Sequence, residues 1–126
     1  MFFLSCFFIL QIGDLVYAQV SNTEIDCGTT LTCIRDRVFK WGLGALPSGG
    51  YMVKVPVSLC RLLLQDNNKI IKILGSKYAF EIAIGLNGRI WIQAPDTGNT
   101  IKISNLIKQL EFIPINRHED YLKENI

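Results

Sequence analysis

The sequence predicts an α+β fold in which helices lie over a small sheet. Two adjoining runs between residues 78 and 94 alternate apolar and polar side chains with the period of a β-strand. Apolar residues between 100 and 112 recur with the period of an α-helix instead. With 126 residues, 49% of them apolar, the chain can bury the core of one ordinary domain or of two very small ones.

The first third of the chain is predicted to contain strands and loops. We expect a strand over residues 12–20 that opens with a Gly-Asp turn, and a second strand over 31–41. The polar segment 21–30 between them is rich in Gly and Thr, which predicts a loop. In the second strand, Leu31 and Cys33 are expected to pack inward.

The middle of the chain is predicted to form a strand, a helix and a further strand. Residues 51–55 have the composition of a short strand, and Pro56 has a fixed φ that suits the first turn of a helix. A helix over 57–64 is expected to bury one apolar face, formed by Leu59, Cys60, Leu63 and Leu64. Residues 69–74 are expected to form the next strand, which Gly75 closes.

Residues 78–94 are predicted to form a β-hairpin. Its first arm places four apolar side chains on one face: Tyr78, Phe80, Ile82 and Ile84. In its second arm, apolar residues alternate with Arg89, Trp91 and Gln93. The arms are separated by Gly85-Leu86-Asn87-Gly88, and Asn-Gly is a preferred pair for a tight turn because both residues tolerate positive φ.

Two helices are predicted to follow the hairpin. Five apolar residues at helical spacing predict an amphipathic helix over about 100–112, namely Ile103, Leu106, Ile107, Leu110 and Ile113. Pro114 stops this helix, and Asn116 and Glu119 have the spacing of a capping box for a short last helix.

Motifs and composition argue against catalysis. No phosphate-binding glycine motif and no nucleophile motif occurs, and His118 lies in a polar segment where a solvated surface position is expected. The four cysteines include no C-x-x-C pair, so a zinc site is not predicted. We therefore predict a protein that is not an enzyme, with no catalytic residue, no metal and no cofactor.

The charge balance does not indicate a protein that grips nucleic acid through bulk charge, because the formal net charge is only +2. Local RNA contacts are therefore the ones to consider. Arg89 is either an anion contact or a plain sheet-edge charge, and Trp91 either stacks a base or packs against a neighbouring element. Lys72 and Lys77, with Lys69, are expected near one strand, as a basic edge or as protection against aggregation.

The turn at residues 85–88 has two interpretations. It is formally a G-x-x-G, a loop that clamps the nucleic-acid backbone in RNA-binding KH domains. In those domains the loop lies between two helices, whereas strands are predicted on both sides here. We favour a hairpin turn whose glycines allow positive φ and close packing.

The N-terminus leaves a secreted protein open as an alternative. Residues 1–10 form an apolar run, and Val16-Tyr17-Ala18 supplies the small residues that a signal peptidase prefers. Against a signal peptide, no Lys or Arg precedes the run and Asp14 interrupts its end. A small secreted structural or ligand-binding protein would be favoured by a disulfide between Cys27 and Cys33.

The hairpin resembles the signature of a known family. Residues 80–94 carry G-x-N-G, with Gly85, Asn87 and Gly88, followed by Arg-Ile-Trp. This block resembles exosome component three, an S1/KH cap subunit of the eukaryotic RNA exosome. Residues 53–63 are similar to the family's strand and first KH helix, and residues 13–19 to a late strand of its S1 domain.

The resemblance implies two domains. A KH-like domain, with helices packed on a small mixed sheet, is implied at 56–126, and an incomplete S1 (OB-type) β-barrel at 12–55. The apolar segment 1–11 matches nothing in the family, which indicates an N-terminally truncated or divergent member. The G-x-N-G turn is then a structural element that packs between the S1 and KH domains.

The resemblance also implies a function. The chain would be a non-catalytic RNA-binding cap subunit that supports 3′→5′ RNA processing and degradation, including ribosomal RNA maturation. Its partners would be the RNase PH-like ring subunits, sibling S1/KH cap proteins and RNA, with no membrane, in the nucleus, nucleolus and cytoplasm. A free-standing KH-like module that binds RNA alone is a further alternative, which a strongly salt-dependent affinity would support.

Overall fold

The computed structural model describes most of the chain, with gaps confined to its N-terminal third. The described residues are 11–22, 28–32, 34–35, 38–39 and 44–126. The chain divides into two compact units, Met1–Ser48 and Gly49–Ile126. The expected boundary between residues 55 and 56 lies further along the chain than this division, because the strand that begins at Tyr51 pairs inside the second unit.

The described part of the first unit contains short strands in three antiparallel pairs. The strands are β1 (Val16–Tyr17), β2 (Gln19–Asn22), β3 (Thr30–Thr32), β4 (Ile34–Arg35), β5 (Val38–Phe39) and β6 (Gly44–Ala45). They pair as β1–β6, β2–β3 and β4–β5. The Gly-Asp turn is confirmed, since the backbone N–H of Asp14 donates to the Gln11 carbonyl at 3.0 Å.

One packing expectation for the first unit is wrong. The Leu31 side chain, predicted to point inward, is 66% exposed. Residues 1–10, Cys27 and Cys33 lie outside the described residues, so the signal peptide and the disulfide stay untested predictions.

A three-stranded antiparallel sheet forms the centre of the second unit. Its strands are β7 (Tyr51–Lys54), β8 (Glu81–Ile84) and β9 (Arg89–Gln93), in the order β7-β9-β8. The predicted hairpin is confirmed as β8 and β9, although its first strand begins at Glu81 rather than at residue 78. The sheet is antiparallel throughout instead of mixed.

Four α-helices accompany this sheet in the second unit, all of which is described. They are α1 (Val57–Leu63), α2 (Ile70–Lys77), α3 (Thr97–Gln109) and α4 (His118–Asn125). Short 3₁₀ turns at Leu110–Phe112 and Ile115–Arg117 join α3 to α4. The expected helix after Pro56 is confirmed, but Leu64, predicted on its buried face, is 44% exposed.

Helix α2 replaces the strand predicted at 69–74, which is a correction. Ile70 and Leu74 lie one helical turn apart and are 3% and 0% exposed, so both are buried on one face of the helix. Residues four apart would also lie on one face of a strand, so this spacing alone fits either structure. Gly75, predicted to close a strand, lies within the helix, where an added Cβ would meet nothing within 4 Å. Packing has therefore overridden the strand propensity of the Ile-rich run.

The core of the second unit lies between one face of the sheet and the helices. It is formed by Val53, Val55, Ile84, Ile90 and Ile92 with Leu59, Cys60, Leu63, Ile70, Leu74, Ile103, Leu106, Ile107, Leu110 and Leu122. The Thr100 hydroxyl oxygen accepts from the Ala94 backbone N–H at 3.0 Å, which ties the start of α3 to the segment after β9. Within the described part of the chain, no helix has the length and apolar character that a membrane crossing needs.

Candidate nucleic-acid interface

The candidate interface is built around the turn between β8 and β9. The backbone N–H of Gly85 donates to the Arg89 carbonyl at 2.9 Å, and the Asn87 side-chain carbonyl accepts from the Arg89 backbone N–H at 3.2 Å. Gly88 has a φ of +81°, which residues with a Cβ rarely adopt. Asn87 therefore closes the turn through its side chain, and Gly88 supplies the positive φ.

Gly88 also anchors the turn to its neighbours β7 and α1. Its carbonyl accepts from the Val55 backbone N–H at 2.8 Å, and an added Cβ would come within 2.7 Å of the Val55 carbonyl oxygen. Burial raises the pKa of the Cys60 thiol on α1, and a backbone hydrogen bond from Gly88 offsets part of that rise. The turn is thus packed on its Gly88 side and presents Leu86 and Asn87 to solvent.

Arg89 and Trp91 lie on the sheet face that points away from the helices. Ile90 and Ile92 belong to the helix-covered core, so residues 89 and 91 point to the opposite side. Arg89 is exposed, whereas Trp91 is only 5% exposed, and a Cβ added at Gly50 would overlap the indole ring. This burial favours the packing alternative for Trp91 and leaves little of its ring for a base.

Lys72 and Lys77 lie on α2, which corrects the basic strand edge expected there. Both are exposed, and Lys69, just before the helix, lies 3.6 Å from the Glu119 carboxylate at the start of α4. The structure therefore divides the candidate RNA contacts between a sheet face, with Arg89, and a separate helix.

The connection between α1 and α2 is closed by the side chain of Asn68. Its Oδ1 accepts from the Ile70 backbone N–H at 2.7 Å, and its Nδ2 donates to the Leu62 carbonyl at 2.7 Å. Asn68 thereby uses one of the backbone donors that a helix start would otherwise offer to an anion. This connection, residues 64–69, contains no glycine and carries the carboxylate of Asp66.

His118 is buried, which corrects the solvated position expected for it. The side chain is 3% exposed, and Nε2 donates to the Ile113 carbonyl at 2.8 Å, because a carbonyl can only accept. Nδ1 is buried as well and has no hydrogen-bond partner among the described residues. The predicted capping box is wrong, since no side-chain hydrogen bond caps α4. Within the described ranges, no group of three His, Cys, Asp or Glu side chains is placed to hold a metal ion.

One exposed cation on the sheet face that points away from the helices was not predicted from the sequence. Lys54 on β7 lies directly opposite Arg89 on β9 and is also exposed. The signal that could have found it is the register between these strands. That register joins segments far apart in the sequence, and no local pattern reveals it.

Comparison with known proteins relates this chain to exosome components. The KH domain family model matches residues 50–98. The chain is 35% identical to the exosome complex component rrp40 of Schizosaccharomyces pombe over 118 residues, which are 93% of this chain and 49% of the relative. It is 36% identical to RRP40 of Drosophila melanogaster over 99 residues, 79% of this chain and 42% of the relative. The chain thus spans about half the length of the curated relatives it matches.

A solved structure shares the fold. A crystal structure of a candidate exosome complex RNA-binding protein matches with a TM-score of 0.70 at 21% identity, over 94% of this chain and 67% of that one. The expected α+β, KH-like fold class is confirmed, with the element order β7-α1-α2-β8-β9-α3 in the second unit. In this fold the two-helix connection lacks glycine, and the G-x-N-G lies between two strands instead. The hairpin interpretation of the motif is therefore confirmed.

Proposed function

We propose that the chain acts as an RNA-binding cap subunit of the RNA exosome and is not itself an enzyme. The observation that carries this proposal is the G-x-N-G turn followed by Arg-Ile-Trp, set in a KH fold and similar in sequence to proteins named exosome complex components. Such a subunit supports 3′→5′ RNA processing and degradation, including ribosomal RNA maturation, by holding RNA while other subunits cleave it.

The proposed partners are the RNase PH-like ring subunits, sibling S1/KH cap proteins and RNA, in the nucleus, nucleolus and cytoplasm. The G-x-N-G residues Gly85, Asn87 and Gly88 serve this role as a structural motif, and their packing between S1 and KH domains stays a prediction. Their geometry supports a structural role, because Gly88 is buried against Val55.

The proposed RNA contacts are local rather than a broad basic face. Arg89 is an exposed cation beside the turn, and Lys72 and Lys77 are exposed on α2. Trp91 contributes through packing of the sheet instead of base stacking, because its ring is buried. Because only a few cations would contact RNA, we expect its affinity to depend only moderately on salt. For single strands, each neutralised phosphate steepens the fall of log affinity with log salt by about 0.7.

The test of this function is affinity purification of the tagged full chain at its native expression level. We expect RNase PH-like subunits to co-purify. Gly75→Ala is the matched control that should keep them, because the site is open, whereas Gly88→Ala should lose them by disrupting the fold. Absence of ring subunits with the unaltered chain would count against an exosome subunit, and release of nucleotides from RNA by the purified chain would count against a non-catalytic role.

A further inference from the structure

Lys54 and Arg89 form a closely spaced pair of exposed cations at one end of the sheet face that points away from the helices. Just after β7, the Val55 backbone N–H donates at 2.8 Å to the carbonyl of Gly88, the residue just before β9, so residues 55 and 88 occupy a hydrogen-bonded position. Antiparallel pairs alternate, so the next pair, Lys54–Arg89, is a non-hydrogen-bonded one. Side chains are closest at such pairs, with Cβ atoms about 4.5–5.5 Å apart.

Among the residues that the structure describes, no carboxylate forms an ion pair with Lys54 or Arg89. The ion pair found among the described residues joins Lys69 to Glu119, on the helices. Glu81, which β8 places on the same sheet face, lies opposite Gln93 at the far end of β9 from Arg89. Like charges directly opposite each other destabilise a sheet, so the pairing of Lys54 with Arg89 carries a cost in stability.

We propose that Lys54 and Arg89 together bind a backbone phosphate of single-stranded RNA. This site rests on the proposed RNA-binding function and adds a residue and a place to it. A phosphodiester has two unbridged oxygens, and a planar guanidinium beside an ammonium can share them, with the guanidinium as the bidentate partner. Bound phosphate converts the repulsion between the cations into attraction to a common anion.

The turn that precedes Arg89 is exposed at its tip. The Asn87 side-chain carbonyl accepts from the Arg89 backbone N–H at 3.2 Å, and the Arg89 residue is exposed. Leu86 is 61% exposed at the tip of the turn. The proposed site contacts a phosphate and no base, so we expect it to bind RNA of different sequences with similar affinity.

The test is RNA affinity of the purified full chain, measured by fluorescence anisotropy with a labelled single-stranded oligonucleotide at several salt concentrations. Lys54→Gln with Arg89→Gln should weaken binding by about tenfold, since each exposed contact contributes modestly, and should reduce the salt slope. The same double variant should unfold at a urea concentration equal to or higher than that of the unaltered chain, because it relieves like-charge repulsion. Weaker binding by a chain that is no less stable separates a phosphate site from a folding defect.

The matched control is Lys102→Gln with Lys108→Gln, which removes the same charge from exposed positions on α3. This control should bind RNA nearly as tightly as the unaltered chain. Equal losses of RNA affinity in both double variants would show that only the net charge of the chain matters, and this would overturn the proposal. Unchanged RNA affinity in the double variant Lys54→Gln with Arg89→Gln would also overturn the proposal. If that variant bound RNA normally but lost the ring subunits, the two cations would bind a carboxylate of a protein partner instead of RNA.

The two proposals fail separately. A chain that binds no RNA overturns the phosphate site, while co-purification of ring subunits still supports an exosome subunit. If the chain binds RNA through Lys54 and Arg89 but captures no ring subunits, the phosphate site is supported and the proposal of an exosome subunit is overturned.

Discussion

Two connections in the second unit close by the same local device. In the α1–α2 connection, Asn68 Oδ1 accepts from the Ile70 backbone N–H, two residues on, at 2.7 Å. In the β8–β9 turn, Asn87 Oδ1 accepts from the Arg89 backbone N–H, also two residues on, at 3.2 Å. Asn commonly forms such bonds to its own backbone in turns.

The two connections differ in which residue is buried. In the α1–α2 connection the asparagine is half-buried, and it makes a second bond to the Leu62 carbonyl. In the β8–β9 turn the asparagine is exposed and Gly88 is buried against Val55. We therefore expect stability to depend on the buried residue of each connection, Asn68 in one and Gly88 in the other. A G-x-x-G likewise takes its role from the elements on either side, which here are strands.

The largest expected effect is that of a side chain at Gly88. Gly88→Ala should lower the free energy of unfolding by about 2–4 kcal/mol, which combines left-handed backbone strain with overpacking. The reasons are the φ of +81° and the Val55 carbonyl oxygen, 2.7 Å from the new Cβ. Urea unfolding monitored by circular dichroism measures the change as a lower midpoint.

Gly75→Ala is the control for this substitution. Gly75 lies inside α2 with nothing within 4 Å of an added Cβ, so alanine there should raise the free energy of unfolding by about 0.5–1 kcal/mol. A lower free energy of unfolding for Gly88→Ala and a higher one for Gly75→Ala would show that the burial and positive φ of Gly88 decide the effect. A similar shift at both would mean that the buried turn glycine is not special.

Local patterns predicted the turn but not the helix-to-helix connection. The hairpin was predictable because alternation on both arms and an Asn-Gly pair agree at one place in the sequence. The run 69–74 offers Ile at spacings that suit a strand or a helix, and the choice depends on core contacts of Ile70 and Leu74 that no local pattern contains. The helix after Pro56, unlike the run 69–74, was predictable, because the spacing of its buried residues Leu59, Cys60 and Leu63 fits one helical face.

The candidate site was only partly predictable for the same reason. Arg89 follows directly from the hairpin pattern, but Lys54 comes beside it through the pairing of β7 with β9. His118 was predicted on the surface because its sequence neighbours are charged, yet it is buried, and its Nε2 donates to the Ile113 carbonyl. Burial and strand pairing are both properties of contacts between distant segments.

The next largest effect is expected at Asn68. Asn68→Ala removes the acceptor for the Ile70 N–H and the donor for the Leu62 carbonyl, and should lower the free energy of unfolding by about 1–2 kcal/mol. Hydrogen exchange should show faster opening at the start of α2 than at the hairpin. Asn67→Ala, at an exposed neighbouring position, is the control and should change stability little. Equal losses at the two positions would argue that the connection as a whole, rather than the Asn68 bonds, holds α2 in place.

The smallest effect is expected at Asn87, although its side chain, like that of Asn68, accepts from the backbone N–H two residues further along the chain. Asn87→Ala should lower the free energy of unfolding by about 0.5 kcal/mol, because the lost acceptor is exposed and water can replace it at the Arg89 N–H. Asn87→Asp keeps an acceptor at this position and should retain the stability of the unaltered chain, as measured by the urea midpoint. A loss of stability at Asn87→Ala as large as that at Asn68→Ala would show that exposure of the asparagine does not decide how much each connection stabilises the fold.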